Sequence, residues 1–280
     1  MTISSSEVAE RGRTVAGEVN YAVPGDGKPR FHAKDSSLDT FGYDPRVMTI
    51  TDARTLHDAP CLDREGFALL HMPTQVRDFR DIAHVNAVHP GEIQRFIAGL
   101  TDADAVAVSG PATLRFGDAS PDADRQAHSK TARLIHSDTS EAAADDFTVQ
   151  SNPFPDRRVR RVMHHNIWRT FSPPPQDAPL ALCDYRTVDP GDVIHADAAF
   201  DNAAGEIVWT FEAFLFRYNP AHRWYYYPNM TADDVLVFKR FDSDRTTPWF
   251  VPHTAFSDRS FDRPVPRASV EMRTISYWYA

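Results

Sequence analysis

Residues 206–229 read EIVWTFEAFLFRYNPAHRWYYYPN. Two runs rich in aromatic and β-branched residues flank Asn219-Pro220, a pair that breaks regular structure, so the stretch reads strand, turn, strand. The same pattern extends outward. AVAVSG, TLRFG, ARLIHSD, VMHHNIWRTF, LALCDY and DVIHADA precede it, and VLVFKRFD, WFVPHTAF and SVEMRTISYWYA follow, with Pro, Asn, Asp and Gly between them. Many short strands at near-regular spacing predict a sandwich or a barrel. Before residue 105 the pattern is mixed. RVMTITDAR and GFALLHMP read as strands, and HPGEIQRFIAGL reads as a helix opening at Pro90-Gly91-Glu92, with Ile93, Phe96, Ile97 and Leu100 at helical spacing. The expected class is mainly β with flanking helices, one domain over 39–280, preceded by a loosely held polar arm over 1–38.

Composition removes several function classes. The chain has 280 residues and a formal charge of −9, so it lacks the positive field that a nucleic-acid or anionic-membrane binder needs. Its one basic cluster, Arg157, Arg158, Arg160 and Arg161, reads as a solvated loop entering a strand. Cys61 and Cys183 are too few for a disulfide framework and have no thiolate metal spacing, which fits a reducing compartment. No apolar stretch is long enough to cross a membrane, and the first residues carry no apolar leader. The expectation is a soluble cytoplasmic protein with a small-molecule partner; its oligomeric state is open, a homodimer included.

The chemistry-bearing motif is His136-Ser137-Asp138, at the end of an apolar run. In an extended chain residues i and i+2 point to one face, so His136 and Asp138 can grip one ion together. A non-haem iron oxygenase needs two histidines and one carboxylate on one face of the metal, leaving positions for a co-substrate and dioxygen. The third ligand must come from another strand, and His253 in FVPHTAF is the candidate. Fourteen residues later stands Arg267 in PRASVEMR, with Ser269 on the same strand face. A dicarboxylate such as 2-oxoglutarate chelates iron at one end and needs a buried cation at the other, which Arg267 supplies as a fork of donors while Ser269 adds a hydroxyl. Arg273 and Glu271 share that parity. One arginine therefore binds the carboxylate while the other pairs with Glu271, and the spacing favours Arg267 for the first role.

RLIHSDTS, HHNIWRTF, PLALCDYRTV, the run from YNPAHRW to VFKRFDSD, PHTAF and RASVEMR together resemble the AsaB/CmcJ family of hydroxylases and desaturases. The resemblance runs from about residue 40 to the C-terminus. It implies a double-stranded β-helix (jelly roll) holding Fe(II), with 2-oxoglutarate and O2 as co-substrates, and hydroxylation, desaturation or ring formation on a secondary metabolite. It carries the ligands to His136, Asp138 and His253 and the co-substrate arginine to the RASVEMR strand. Members often place a Gln after the His-x-Asp, whereas here Thr139-Ser140 follows directly, which puts these two residues at the expected pocket rim.

Other residues carry paired expectations. His164, Asn166 and Trp168 share one strand face and are candidates to line the pocket; equally, Trp168 reads as core and Arg169 as a buried structural cation. Trp224 to Tyr227 read as core or lid packing, and Lys239 with Asp242 as a structural ion pair. A rival metal pair, His195-x-Asp197 with His222 as a later partner, has no arginine strand at the right distance. Two other function classes remain open on the sequence: a non-catalytic binding protein on the same scaffold, and a cupin-type metalloenzyme that does not use 2-oxoglutarate.

Overall fold

The computed structural model describes residues 13–123, 130–202, 204–258 and 261–280. Sixteen strands occur among them: β1 Thr14–Val23, β2 Arg30–His32, β3 Gly42–Asp52, β4 Phe67–His71, β5 Ala105–Val108, β6 Thr113–Phe116, β7 His136–Ser137, β8 Val159–Thr170, β9 Leu180–Cys183, β10 Val193–Asp201, β11 Ile207–Phe216, β12 Trp224–Tyr226, β13 Asp234–Asp242, β14 His253–Ala255, β15 Ser257–Asp258 and β16 Ala268–Tyr279. They form a ten-stranded sheet ordered β15-β1-β3-β12-β9-β14-β7-β11-β10-β2 and a six-stranded sheet ordered β4-β13-β8-β16-β5, with β6 also on β16. Trp168, Leu236 and Phe238 of the smaller sheet interleave with Leu180 and Leu182 of the larger and with Val251 just before β14, so the two sheets bury their inner faces on each other. Each fully buried side chain of this size contributes about 1.5–3 kcal/mol.

The stretch 206–229 forms its two strands, but they are not neighbours. β11 pairs with β10 and β7, whereas β12 pairs with β3 and β9. The Asn-Pro turn is therefore a crossover and not a hairpin. Asn219 ties it down by donating to Asp192 Oδ2 at 2.9 Å, and His222 sits buried between Asp192 and Tyr21.

Three further expectations differ from the structure. The segment expected as a loose arm contains β1, which pairs over ten residues with β3 and buries Val19 and Tyr21; residues 1–12 lie outside the described residues. Its polar composition hid a strand whose apolar residues alternate with Glu18 and Asn20. The helix expected to open at Pro90 is α1, Ile82–Thr101; it starts at an Asp81 cap that accepts from His84 N–H, and Pro90 lies inside it. A second helix, α2, spans Glu141–Ser151, in a stretch without a helical expectation, because its apolar stripe is weak. Ser140 caps it, accepting from Ala143 N–H.

Candidate metal centre

β7 and β14 lie side by side with His136 directly opposite His253, so their rings share one face of the larger sheet. Asp138, two residues past His136, reaches the same face. Its Oδ1 stands 3.4 Å from His136 Nε2 and 3.6 Å from His253 Nε2. One ligand atom from each of the three residues lies within 4.8 Å of the others. Both imidazoles are oriented alike: Nδ1 of His136 donates to Leu134 O at 2.8 Å and Nδ1 of His253 to Val251 O at 3.0 Å. A ring whose Nδ1–H is spent on a carbonyl presents its Nε2 lone pair, the form that binds a metal.

Burial, then the neighbouring His136, pushes the His253 pKa down to about 4, which keeps this ring neutral at pH 7. Burial alone would raise Asp138, but His136, Arg273, His253 and Arg240 around it hold its carboxyl well below the usual range. Convergent Nε2 lone pairs and one anionic carboxylate oxygen make a donor set that fits a divalent cation with open positions. The remaining oxygen, Oδ2, is turned the other way and accepts from Asn166 Nδ2 at 2.7 Å.

The smaller sheet supplies that side. In β8 and β16, Asn166 stands opposite Arg273 and Trp168 opposite Glu271, so all four face inward. Arg273 Nε is 3.6 Å from Asp138 Oδ2, and its Nη2 pairs with Glu271. β13 adds a second cation at a bulge. Lys239 pairs with His165 and Phe241 with His164, leaving Arg240 as the extra residue. A bulge of this kind shifts the alternation by one. Arg240 keeps the inward parity of Phe238, 3.4 Å from Asp138 Oδ2, and the bulge lets Lys239 and Asp242 share the outer face, where they pair at 2.9 Å with both side chains fully buried. In an unbroken strand these two would point to opposite faces.

Arg267 opens β16 deeper in the same interior. Its Nη1 donates to Ala178 O at 2.6 Å and its guanidinium lies 5.5 Å from the Trp168 ring centroid. Its backbone N–H donates to Asp177 Oδ1 at 2.9 Å, a contact that Gly117 permits: a Cβ there would come 2.6 Å from that oxygen. Burial, then Arg115, pushes the Arg267 pKa down to about 9, and its Nε has no hydrogen-bond partner. Ser269 Oγ donates to Arg115 O at 3.2 Å. A desolvated guanidinium with an orphaned N–H fits an anionic ligand group.

Three expected pocket residues are corrected. Thr139 and Ser140 are fully buried: Thr139 Oγ1 donates to Arg240 O, and Ser140 caps α2. The helix draws the Ser140 hydroxyl, and β13 the Thr139 hydroxyl, away from any rim. His164 faces inward but is bonded through Nε2 to Thr148 Oγ1 on α2 and packs edge-on against Phe241. Trp168 is core, and Arg169 is a buried cation that donates to Met72 O and Ala232 O. The rival pair disperses. His195 is exposed and bonded to Glu212, Asp197 is paired with Lys28 and Arg30, and His222 is committed to Asp192 and Tyr21. Arg240 was missed as a site residue. Its parity with Phe238 was the available signal, since Phe238 packs on the His253 ring.

The family model described as Oxidoreductase/YMDC permease-like domain matches residues 19–277. The chain belongs to that family. Among curated members of similar sequence is Hydroxylase/desaturase efuI of Hormonema carpetanum, 28% identical over 258 residues, covering 84% of this chain and 85% of the relative. Hydroxylase/desaturase asaB of Aspergillus flavus is 34% identical over 123 residues, covering 40% of this chain and 54% of the relative. The resemblance read from the motifs, to hydroxylases and desaturases of the AsaB type, is therefore met. Among solved structures, the iron and alpha-ketoglutarate-dependent endoperoxidase NvfI superimposes with a TM-score of 0.79 at 20% identity, over 95% of this chain and 99% of that one. The oxidoreductase thus has the jelly-roll fold. Among its described residues no helix is long and apolar enough to cross a membrane.

Proposed function

We propose that this chain is a non-haem Fe(II)- and 2-oxoglutarate-dependent oxygenase that oxidises a C–H bond of a small organic molecule. The observation that carries this reading is the convergence of His136 Nε2, His253 Nε2 and Asp138 Oδ1 beside a buried, incompletely bonded arginine strand. Relatives named as hydroxylases, desaturases and an Fe(II)/2-oxoglutarate-dependent dioxygenase support it. Fe(II) with 2-oxoglutarate and O2 supplies the oxidising power for an unactivated C–H bond, and hydroxylation, desaturation or ring formation are its outcomes.

The chain's own part is placement and charge. His136, Asp138 and His253 hold the metal on one face, and the Leu134 and Val251 carbonyls fix both ring orientations. Asn166 and the two flanking arginines keep Asp138 Oδ2 occupied, so Oδ1 alone points to the metal position. Arg267 would take the far carboxylate of 2-oxoglutarate, while Ser269, two residues on along the same face, keeps its hydroxyl proton on Arg115 O. Arg273 is excluded from that role by its pairing with Glu271. The apolar wall of Trp168 beneath Arg267 keeps water from the carboxylate contact and strengthens it. The free cysteines and the absence of a membrane-crossing helix among the described residues support a cytoplasmic setting.

Two binding measurements test the proposal. Anaerobic equilibrium dialysis should give one Fe(II) per wild-type chain and none for the variant carrying His136→Ala with Asp138→Ala. Arg267→Met should keep its iron and lose at least tenfold in 2-oxoglutarate affinity, the worth of one lost charge-assisted contact. Equal iron uptake by the double variant, or unchanged 2-oxoglutarate binding by Arg267→Met, contradicts it.

A further inference from the structure

Resting on that reading, the buried Arg240 beside the centre points to the substrate class. Arg267 is bonded to Ala178 O and Arg273 is paired with Glu271. Arg240 Nε has no hydrogen-bond partner among the described residues. Its nearest carboxylate oxygen, Asp138 Oδ2, already accepts from Asn166. The residue is 4% exposed, so water does little to solvate its charge.

From Arg240 an aromatic path leads outward. Its guanidinium lies 6.0 Å from the Phe147 ring centroid on α2. Phe147 meets Phe211 at 5.5 Å and Trp209 at 6.1 Å, and Phe200 stacks on Phe211 at 5.6 Å. Trp209 is 49% exposed, next to exposed Ile207 and Val208 on the same end of β11. Open aromatic surface of this kind marks a binding face, and here it runs from solvent to a buried cation whose Nε–H lacks a hydrogen-bond partner, beside the metal ligands.

We propose that the substrate is an apolar, ring-bearing carboxylic acid: Arg240 binds its carboxylate, and Phe147, Phe200, Trp209 and Phe211 pack its hydrocarbon body. The shared anchor would hold the acid within reach of the metal position, because Arg240 and the metal face of Asp138 are on opposite oxygens of one carboxylate.

The test uses the full chain, loaded anaerobically with Fe(II) and saturating 2-oxoglutarate. Short aryl alkanoates of increasing ring size, each with its own primary amide, are titrated by calorimetry while the visible band of the chelated keto acid is followed. Absence of that band refutes the function proposed above and is read before any probe is added. With the band present, the acid should bind at least tenfold tighter than its amide and leave the keto acid bound. Arg240→Met should erase that preference, Arg240→Lys should keep part of it, and Trp209→Ala should weaken acid and amide alike. Equal binding of acid and amide by the wild type, binding of neither across the series, or a preference that survives Arg240→Met overturns the proposal. The wild-type comparison stands even if a variant fails to fold.

Discussion

Replacing Asp242 with Asn probes the buried ion pair that the bulge in β13 brings together beside Arg240. Asp242 is fully buried and accepts from Lys239 Nζ at 2.9 Å, from Arg161 Nε and Nη2 at 3.1 and 2.7 Å, and from Asp244 N–H at 2.9 Å. The amide keeps the shape but takes the nearest carboxylate from the Lys239 ammonium, whose side chain has no solvent exposure and keeps only Thr247 Oγ1 at 3.0 Å and Asp63 Oδ1 at 3.4 Å. Removing one partner of a buried pair costs about 3–5 kcal/mol, because the other charge stays desolvated. At roughly 2–4 °C per kcal/mol for a large domain, the melting temperature should fall by roughly 6–20 °C. Arg161 can turn to solvent and Asp244, so it adds little to the loss. Adding Lys239→Met to Asp242→Asn removes the stranded charge, and the double variant should be at least ~2 kcal/mol more stable than the sum of the single losses implies. Urea denaturation of the four proteins measures this coupling. A loss below ~1 kcal/mol for Asp242→Asn, or strict additivity in the double variant, would refute the reasoning.

Two other consequences follow from the same geometry. Asn166→Ala frees Asp138 Oδ2 and should weaken Fe(II) binding by roughly 10–100-fold with little change in 2-oxoglutarate affinity, measurable by competition with a metal chelator. Acid should destabilise the fold through His164 and His165. Burial is the main cause of both low values, helped by Arg240 for His164 and by Lys239 for His165, which is pushed down to about 3. The unfolded chain takes up these protons near pH 6.5 and the folded chain does not. Stability is therefore lost as pH falls below about 6.5, and for His165, pushed down to about 3, the loss is about 2 kcal/mol at pH 5. Urea midpoints at pH 7 and pH 5 should converge partly in His165→Gln; an unchanged difference contradicts the assignment.

The metal motif was legible because its ligands obey two short-range rules. The i, i+2 parity of His136 and Asp138 survives into the structure, and the Arg267-Ser269 strand lies on the face that its alternation predicts. Strand β1 was hidden by its composition, since Glu18 and Asn20 dilute the apolar face that Val19 and Tyr21 present to the core. Helix α2 was hidden because its Ala and Asp residues leave only a weak stripe, and its capping hydroxyl on Ser140 was read as a pocket group. Arg240 was legible through its parity with Phe238, which packs on His253. What two-residue alternation cannot show is the bulge, where one strand gains a residue over its partner and Lys239 and Asp242 come to share a face.

The most direct test of the account is the anaerobic titration of the Fe(II)-loaded chain with 2-oxoglutarate, followed in the visible region. A saturable charge-transfer band at one 2-oxoglutarate per iron, lost in His253→Ala and demanding far more 2-oxoglutarate in Arg267→Met, is the predicted result. A chain that binds Fe(II) but gives no band at any 2-oxoglutarate concentration would contradict it.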